Sequence, residues 1–260
     1  MRSRLALLLT LLASAGLIGS CGKGQSSAST RTVTVQSSTG SSTQPSKPST
    51  GGSTSAKTQA LAFARAVNLR PSDVPGYQPA PKENEGSSAA EKRATHELQK
   101  CVGSSAEQQP VVEVGSLRFE RKASIAEVSV GSSVTVERSA AIAAKELEAI
   151  HNPRTRSCFT NYFKGLFSAP TYKGATIGPV KLESGTPPAS GTSGSFGWRL
   201  RTSLTVHSVP IPIELDILGF VEGPSEVTLT SFGLAVPFPA ATEQQLFLLL
   251  LSRAKAHHLS

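Results

Sequence analysis

The C-terminal third of the chain alternates apolar and polar side chains, and this alternation constrains the fold more than any other feature. A period of two indicates strands that bury one face. The apolar members are Trp198, Leu200, Leu204 and Val206, followed after the segment Val209-Pro210-Ile211-Pro212 by Ile213, Leu215 and Ile217. The two runs predict an antiparallel hairpin, and Val227 and Leu229 extend it into a third strand across a turn at 222–225.

Segments with helical spacing lie on both sides of this meander. A last helix is predicted to begin near Thr242, where Thr242 and Gln245 have capping-box spacing, and to bury its apolar 246–251 run against the sheet. Three further helices are predicted: one that ends near Cys101, one that runs from Ser139 to Asn152, and one that starts at Pro153. Strands are predicted at 117–120, 125–137 and 171–183, with a turn or bulge at 131–133. The predicted fold class is α+β, an antiparallel sheet with helices packed on it.

The N-terminus has the composition of an export signal. Arg2 and Arg4 precede an apolar stretch from Leu5 to Leu12, and small residues follow. This pattern indicates a secretory signal peptide, because a membrane span needs about 20 apolar residues. The sequence Leu-Ile-Gly-Ser-Cys at 17–21 resembles the lipobox of bacterial lipoproteins. The resemblance implies a signal peptide at 1–20 and a diacylated Cys21. The alternative is an ordinary signal peptide cut near Ser20.

Composition divides the mature chain into a linker and a folded body. Residues 21–57 are mostly Ser, Thr, Gly, Gln and Pro, so they cannot bury enough apolar surface to offset the entropy of ordering. We predict a lipidated Cys21 followed by a disordered linker. Two acyl chains hold a protein on a membrane where one holds it only marginally. Residues 58–260 are long enough for a single α+β globular domain.

The three cysteines support an exported protein. If Cys21 carries lipid, Cys101 and Cys158 remain, and a disulfide between them is chemically allowed outside the cytoplasm. The alternative is a pair of buried free thiols. A zinc site is disfavoured, because the chain has no CxxC and no histidine pair near the cysteines.

Charge and motifs exclude several classes of protein. The 260 residues include 26 Lys and Arg against 18 Asp and Glu, but the basic residues are dispersed and few aromatics accompany them, so we predict no nucleic-acid partner. The chain has no GxSxG, no GxxxxGK[ST] and no GxGxxG that opens a helix after a strand. We therefore predict no catalytic residue, no metal and no cofactor.

Five side chains remain as candidates for contact with a ligand: Tyr162, Trp198, His207, Glu214 and Asp216. Glu214 and Asp216 lie two apart on one strand face and fit a carboxylate pair, although ion pairs with Arg199 and Arg201 explain them more simply. His207 lies near the hairpin turn and is predicted to face Glu214. Tyr162 belongs to an aromatic helical stripe that fits a pocket wall or, more simply, the core.

The order of elements resembles a known group of proteins. A lipobox and a Ser/Thr linker are followed by Asp73-Val74-Pro75-Gly76-Tyr77, a helix with Cys101, a helix with Cys158, a meander and a last helix. This order is similar to small actinobacterial lipoproteins and to the extracellular sensor domains of actinobacterial Ser/Thr kinases, which have a PsbP-like fold. The resemblance implies a twisted antiparallel sheet with helices packed on it, and a binding or sensing module.

The predicted function is binding at the cell envelope. We predict a lipoprotein on the extracytoplasmic face of the cell membrane, anchored through Cys21, that binds a small ligand, a wall polymer or an envelope protein. One alternative is a cell-surface enzyme, such as a hydrolase, with an active site that no motif marks. The other is a structural scaffold, which requires a contiguous exposed apolar patch.

Overall fold

The structure, a computed structural model, describes residues 52–80, 89–102, 110–167, 175–257 and 259. Predictions that concern residues 1–51, including the signal peptide and Cys21, lie outside the described residues. Within the described part, the chain forms five α-helices and one open sheet of nine strands, so the α+β class is confirmed.

All strand pairs in the sheet are antiparallel, and the order is β1-β3-β4-β9-β8-β7-β5, with β2 also beside β4 and β6 also beside β7. The helices are α1 (Gly52–Val67), α2 (Ala89–Val102), α3 (Ala140–His151), α4 (Pro153–Phe167) and α5 (Ala240–Ala256). The strands are β1 (Gln78–Pro79), β2 (Val112–Gly115), β3 (Phe119–Ala123), β4 (Ala126–Val136), β5 (Ala175–Ile177), β6 (Lys181–Gly185), β7 (Gly194–Val206), β8 (Val209–Glu222) and β9 (Ser225–Leu234). Helix α1 overlaps the end of the range predicted as linker.

The predicted meander is confirmed, with a different first turn. Strands β7 and β8 pair from Val206 opposite Val209 to Gly194 opposite Val221. The turn is His207-Ser208, and both residues have positive φ (49° and 67°), as a type I′ turn requires. The 209–212 segment therefore belongs to β8. Pro210 and Pro212 lack the amide hydrogen that a strand donates to its neighbour. They are tolerated because their nitrogens point away from β7, and because the pairing of β8 with β9 does not extend to these residues.

The other turn predictions had mixed outcomes. The turn at 222–225 is confirmed: Glu222 faces Ser225, and Gly223 supplies the positive φ of 53°. The turn or bulge at 131–133 is wrong, because β4 pairs with β9 from Glu127 to Val136 without a break in register. Of the strand predicted at 171–183, residues 171–174 are outside the description and 178–180 separate β5 from β6.

Helix ends follow their local chemistry. The Ser139 hydroxyl accepts a hydrogen bond from the Ile142 amide (3.3 Å) at the start of α3, and Pro153 opens α4 as predicted. The capping box at Thr242 is wrong, because α5 begins at Ala240 after Pro239 and so encloses Thr242. The 246–251 run is buried except at Leu248, which is 49% exposed, and at Leu249, which is partly buried.

Helices cover the two faces of the sheet in different places. On the face here called the α5 face, α1 and α5 pack on β4, β9 and the end of β8. On the opposite face, called the α3 face, α2, α3 and α4 pack on β6, β7 and β8. Each face therefore has an apolar half, and the two apolar halves overlap only at β8. The other half of each face carries polar side chains.

Two side-chain links hold the helices in place. Cys101 of α2 and Cys158 of α4 lie at disulfide distance, with sulfur atoms 1.95 Å and Cα atoms 5.8 Å apart. Arg253 of α5 donates two hydrogen bonds of 2.7 Å to Asp73, the first residue of the Asp-Val-Pro-Gly-Tyr segment. Among the described helices, none has the length and apolar character that crossing a membrane requires.

Candidate functional site

The five side chains predicted to contact a ligand do not form one site. Trp198 and Tyr162 lie in the apolar core of the α3 face, where Trp198 meets the edge of Phe159 at 4.0 Å between ring centroids. His207 is exposed in the hairpin turn, whereas Glu214 faces Arg201 farther along the strands. The predicted contact between His207 and Glu214 is therefore wrong.

Glu214 and Asp216 belong to a row of charges on the α5 face. This charged ladder consists of Glu183, Arg199, Arg201, Glu214 and Asp216, on the adjacent strands β6, β7 and β8. Arg199 donates two hydrogen bonds of 2.7 Å to Asp216, and Arg201 donates one of 2.8 Å to Glu214. The ion pairs predicted from the sequence are confirmed. Each of the two arginines is paired with a carboxylate of β8, and the ladder holds three carboxylates in all.

One carboxyl group beside the ladder has a shifted pKa. Glu243 lies in the first turn of α5, accepts a short hydrogen bond from the Ser231 hydroxyl, and has an oxygen 3.9 Å from Arg199. Burial raises the pKa of Glu243 to about 7, and the nearby carboxylates of Asp216 and Glu214 add to the rise, against opposing contributions from Ser231 and Arg199. The hydrogen bond to Asp216 raises the pKa of Arg199 above its usual range. Of the carboxyl groups at this end of the sheet, Glu243 is therefore the one whose raised pKa lies near neutral pH.

Hydroxyl groups line the polar half of the α3 face. We call this the hydroxyl surface, formed by Ser129, Ser133 and Thr135 of β4 and Thr228 and Thr230 of β9. Strand register places them together, because Ser133 faces Thr228 and both strands send alternate residues to the same side. All five residues are buried, with exposures from 2% to 7%. A buried row of hydroxyls differs from the apolar packing elsewhere in the sheet.

Thr230 has an unsatisfied hydroxyl. The residue is 5% exposed, and its Oγ1 has no hydrogen-bond partner in the part of the chain that the structure describes. Its neighbours across the strands are Gly131, which has no side chain, and Ile217, which is apolar. A buried hydroxyl without a partner costs about 1–3 kcal/mol. Packing alone therefore does not explain why a threonine, rather than an apolar residue, occupies position 230.

Ser132 shows how a buried hydroxyl is normally satisfied in this sheet. It points to the other face of β4, where it accepts a hydrogen bond from the Leu69 amide (2.9 Å) and donates one to Asn68 Oδ1 (2.7 Å). Asn68 in turn donates to the carbonyl of Val114 at 2.8 Å. Ser132 thus ties the end of α1 to the sheet and has a structural role.

Charged residues flank the hydroxyl surface at both ends. At the β3 end, Arg118 pairs with Glu120 at 3.2 Å, and Lys122 pairs with Glu120 at 3.0 Å and Glu127 at 3.5 Å. The hydrogen bond to Glu120 is the main cause that raises the pKa of Lys122. At the other end, Glu226 is buried beside Thr228, with 3.5 Å between the hydroxyl and a carboxylate oxygen. The surface itself is uncharged between these ends.

Chemically, the hydroxyl surface is suited to hydrogen bonding. Serine and threonine hydroxyls both donate and accept, but they act as nucleophiles only beside a general base. Across the described residues, no three His, Cys, Asp or Glu side chains cluster as metal ligands. The chemistry that this row of side chains offers is hydrogen bonding.

Sequence reasoning missed the hydroxyl surface for an identifiable reason. In 128–136 the valines alternate with Ser, Gly and Thr, which is the pattern of a strand with one solvated face. The alternation shows that the two faces differ, but it does not show that the polar face is buried. The interruption at 131–133 was interpreted as a turn for the same reason.

Comparisons with known proteins identify only a distant fold likeness. The chain is similar to the extracellular domain of PknH from Mycobacterium tuberculosis, with 12% identity and a TM-score of 0.37 over 75% of this chain and 96% of that one. No protein-family model matches the sequence. None of the curated proteins is similar to it at a significant level. The site is therefore interpreted from its own residues.

Proposed function

We propose that this protein is a lipid-anchored binding module on the extracytoplasmic face of the cell membrane. Its ligand or partner contacts the hydroxyl surface, and its role is recognition rather than catalysis. The observation that carries the proposal is the buried, unsatisfied hydroxyl of Thr230 within a row of buried hydroxyls. A cost of this kind is retained where function requires the group, because an apolar residue of the same shape packs at least as well.

The charged ladder supports the same conclusion by contrast. Its arginines and carboxylates are satisfied by one another, so it has no need of a ligand. Glu243 is the best candidate for acid–base chemistry, but its carboxyl group is held by Ser231 under the first turn of α5. A cell-surface enzyme would require such a group to face a cleft.

The membrane anchor is tested separately from binding. The lipobox at 17–21 leads us to expect that Cys21→Ser moves the full-length protein from the membrane fraction to the medium, with Cys101→Ser as a control that retains Cys21. Membrane fractionation that is unchanged in Cys21→Ser would contradict the anchor.

The binding proposal is tested by chemical crosslinking in intact cells, followed by purification of the full-length protein. We expect a crosslinked species with the natural protein and its loss with Thr230→Val, which keeps the shape of the side chain. Thr205→Val, at a partly buried threonine of β7 whose side chain lies on the opposite face of the sheet, is the control. Equal crosslinking by both variants, or reproducible substrate turnover abolished by Glu243→Gln, would overturn the proposal.

A further inference from the structure

We propose that one end of the sheet contacts the lipid bilayer to which the protein is attached, with apolar side chains in the lipid. The contacting segment is residues 203–212, here called the hairpin tip, which comprises the end of β7, the turn and the start of β8. This contact is separate from the hydroxyl surface, and it rests on the proposed function only for the membrane anchor.

Exposed apolar side chains are concentrated at this end of the sheet. Val209 of the hairpin tip is 59% exposed. Ile125, just before β4, is 60% exposed, and Val236, shortly after β9, is 44% exposed. Strands β4 and β8 begin, and β9 between them ends, at this end, because neighbouring strands are antiparallel. It therefore holds three of the five large hydrophobic side chains that are exposed among the described residues.

The hairpin tip extends past its neighbouring strand and lacks acidic residues, lysine and arginine. Pairing of β8 with β9 begins at Ile213, so residues 209–212 pair with β7 alone. No Lys, Arg, Asp or Glu occurs from Thr202 to Ile213, and His207 in the turn is the one titratable side chain of this stretch. Moving such a segment into lipid removes apolar surface from water without removing a paired ion from it.

The apolar side chains of the tip share the α3 face. Val206, Val209 and Ile211 lie on that face by strand register. Two of them pack on a small buried cluster, which consists of Leu204, Ile213 and Leu234, whereas Val209 is left exposed. The fold therefore holds this face in shape, and it need not be ordered when lipid contacts it. The polar turn residues at its border suit the depth of the headgroups.

The free edge of the tip suits lipid better than another strand. In a two-residue hairpin the residues that flank the turn exchange both backbone hydrogen bonds, so positions 210 and 212 face away from β7. Both are proline and have no amide hydrogen to donate. The Pro212 carbonyl accepts a hydrogen bond from the Ala235 amide (2.9 Å). Strand addition by a protein partner needs donors on this edge, whereas in lipid each missing donor is one fewer unsatisfied group.

Charged side chains lie at the base of the tip and of the neighbouring β3–β4 turn: Arg121, Lys122, Glu127, Lys181, Arg201 and Glu214. Both carboxylates are paired, Glu214 with Arg201 at 2.8 Å and Glu127 with Lys122 at 3.5 Å. A strand advances about 3.3 Å per residue, so Glu214 lies about 17 Å from Val209 along β8. Apolar faces enter the interface by about 5–10 Å. The ion pairs therefore stay in water or among the headgroups while Val209 meets lipid.

The bilayer is within reach of this end of the domain. Cys21 and Gly52 are 31 positions apart, and a chain of that length spans at most about 105 Å. A domain of about 200 residues has a radius of gyration of about 16 Å, so the linker permits any side to face the membrane. A diacylated Cys21 keeps the bilayer at a high effective concentration, which favours lipid over a partner that arrives by diffusion.

The test places an environment-sensitive nitrobenzoxadiazole label on the full-length, lipidated protein in vesicles of phosphatidylethanolamine and phosphatidylglycerol. The label is attached to Val209→Cys or, as the matched control, to Leu248→Cys, a 49% exposed aliphatic position of α5, which covers the opposite face. The aqueous reference is each labelled protein with Cys21→Ser in buffer. We expect the label at 209 to emit at shorter wavelength in vesicles than in buffer and to be quenched by a lipid with a nitroxide high on its acyl chain. The label at 248 is expected to keep its aqueous emission.

A charge within the tip provides the second arm of the test. In the protein labelled at 209, Val206→Asp is expected to abolish most of the quenching, because a carboxylate enters lipid at high cost, and Leu248→Asp is expected to leave it unchanged. Urea midpoints show that each variant is folded.

Three results would overturn the inference: an aqueous emission at 209 in vesicles, equal quenching at 209 and 248, or a short-wavelength emission at 209 already present in buffer. The last result means that a second copy, or another segment of the chain, covers the tip. Failure of the anchor is recognised separately, because Cys21→Ser then stays in the membrane fraction of cells. A vesicle-bound protein with an aqueous label at 209 leaves the anchor intact and shows that the tip does not enter lipid.

Discussion

The sheet has two polar regions, and they differ in solvent exposure and in how their side chains are hydrogen-bonded. The charged ladder on the α5 face reaches solvent through Arg199 and Arg201, whose side chains are 39% and 47% exposed, and both arginines pair with carboxylates of the ladder. The hydroxyl surface on the α3 face is buried, and Thr230 has no partner in the described chain. In this sheet the charged side chains satisfy one another, whereas the buried row of hydroxyls contains a polar group without a partner among the described residues.

The largest effect is expected from the cysteine pair, which links two helices of the layer beside the hydroxyl surface. Closing the loop between Cys101 and Cys158, 57 residues apart, is worth about 4 kcal/mol on the chain-entropy model. We expect the double Cys→Ser variant to lose most of this stability and to exchange amide hydrogens faster in α2, α4 and strands β6 to β8, which share their apolar core, than in β4. Equally faster amide exchange in all strands would show that the cysteine pair does not stabilise one part of the sheet more than another. In the natural exported protein, two alkylatable thiols would contradict a disulfide.

The next largest effect concerns Glu243, the carboxyl group beside the ladder whose pKa is raised by burial. Because its pKa is raised to about 7 in the folded protein, its protonated form stabilises the fold fully below the unfolded pKa, and this contribution is lost as the pH rises through 7. The full loss is on the order of 3 kcal/mol.

Urea unfolding at pH 5 and pH 8 measures this effect. We expect Glu243→Gln to flatten the decline in unfolding free energy that the natural protein shows over this range. Glu183→Gln, an exposed member of the ladder, is the control and is expected to leave the decline unchanged. Parallel pH profiles for Glu243→Gln and the natural protein would show that burial does not control this carboxyl group.

The two ladder arginines form a matched pair for the third prediction. Arg199→Ala leaves Asp216, whose side chain is 6% exposed, without its two hydrogen bonds, and is expected to cost about 2 kcal/mol. Arg201→Ala breaks a pair that solvent screens and is expected to cost under about 1 kcal/mol. Chemical denaturation measures both costs. Equal losses would mean that the ladder acts as one network rather than as separate pairs.

The smallest effects compare two buried hydroxyls on opposite faces of the sheet. Ser132→Ala removes a partner from the Leu69 amide and from Asn68, and is expected to cost about 1–2 kcal/mol. Thr230→Val removes no hydrogen bond of the described chain and is expected to raise the free energy of unfolding by about 0 to 1 kcal/mol. The difference between their unfolding free energies is the measurement. The reverse order would remove the distinction between a structural and a binding hydroxyl.

Much of the fold was predictable because it depends on local signals. The meander of β7, β8 and β9, the ion pairs of Arg199 and Arg201, and the helix ends at Ser139 and Pro153 follow from residues near one another in sequence or directly opposite in a hairpin. The errors also have local causes. Pro210 and Pro212 are a stronger turn signal than His207-Ser208, which forms the turn, and the spacing of Thr242 to Gln245 fits a capping box although the helix begins at Ala240.

The candidate site was less predictable, because it depends on contacts between distant segments. Sequence reasoning named Glu214 and Asp216, which structure places in a self-satisfied ladder, and Trp198 and Tyr162, which it places in the core. Thr230 and Ser129 were not named, since a polar residue in an alternating strand is ordinarily exposed to solvent. Nothing adjacent to them in sequence marks them as buried.

The sequence by itself determined which residues form strands, which strands form hairpins, and that each strand has two unlike faces, because side-chain alternation and turn chemistry act over a few residues. The tertiary structure decided what packs on each face. Helices α1 and α5 cover one half of the sheet and α2 to α4 cover the other half on the opposite side, an arrangement set by long-range packing. In the folded protein the hydroxyls of β4 and β9 are buried, whereas the Arg199 and Arg201 side chains of β7 remain 39% and 47% exposed.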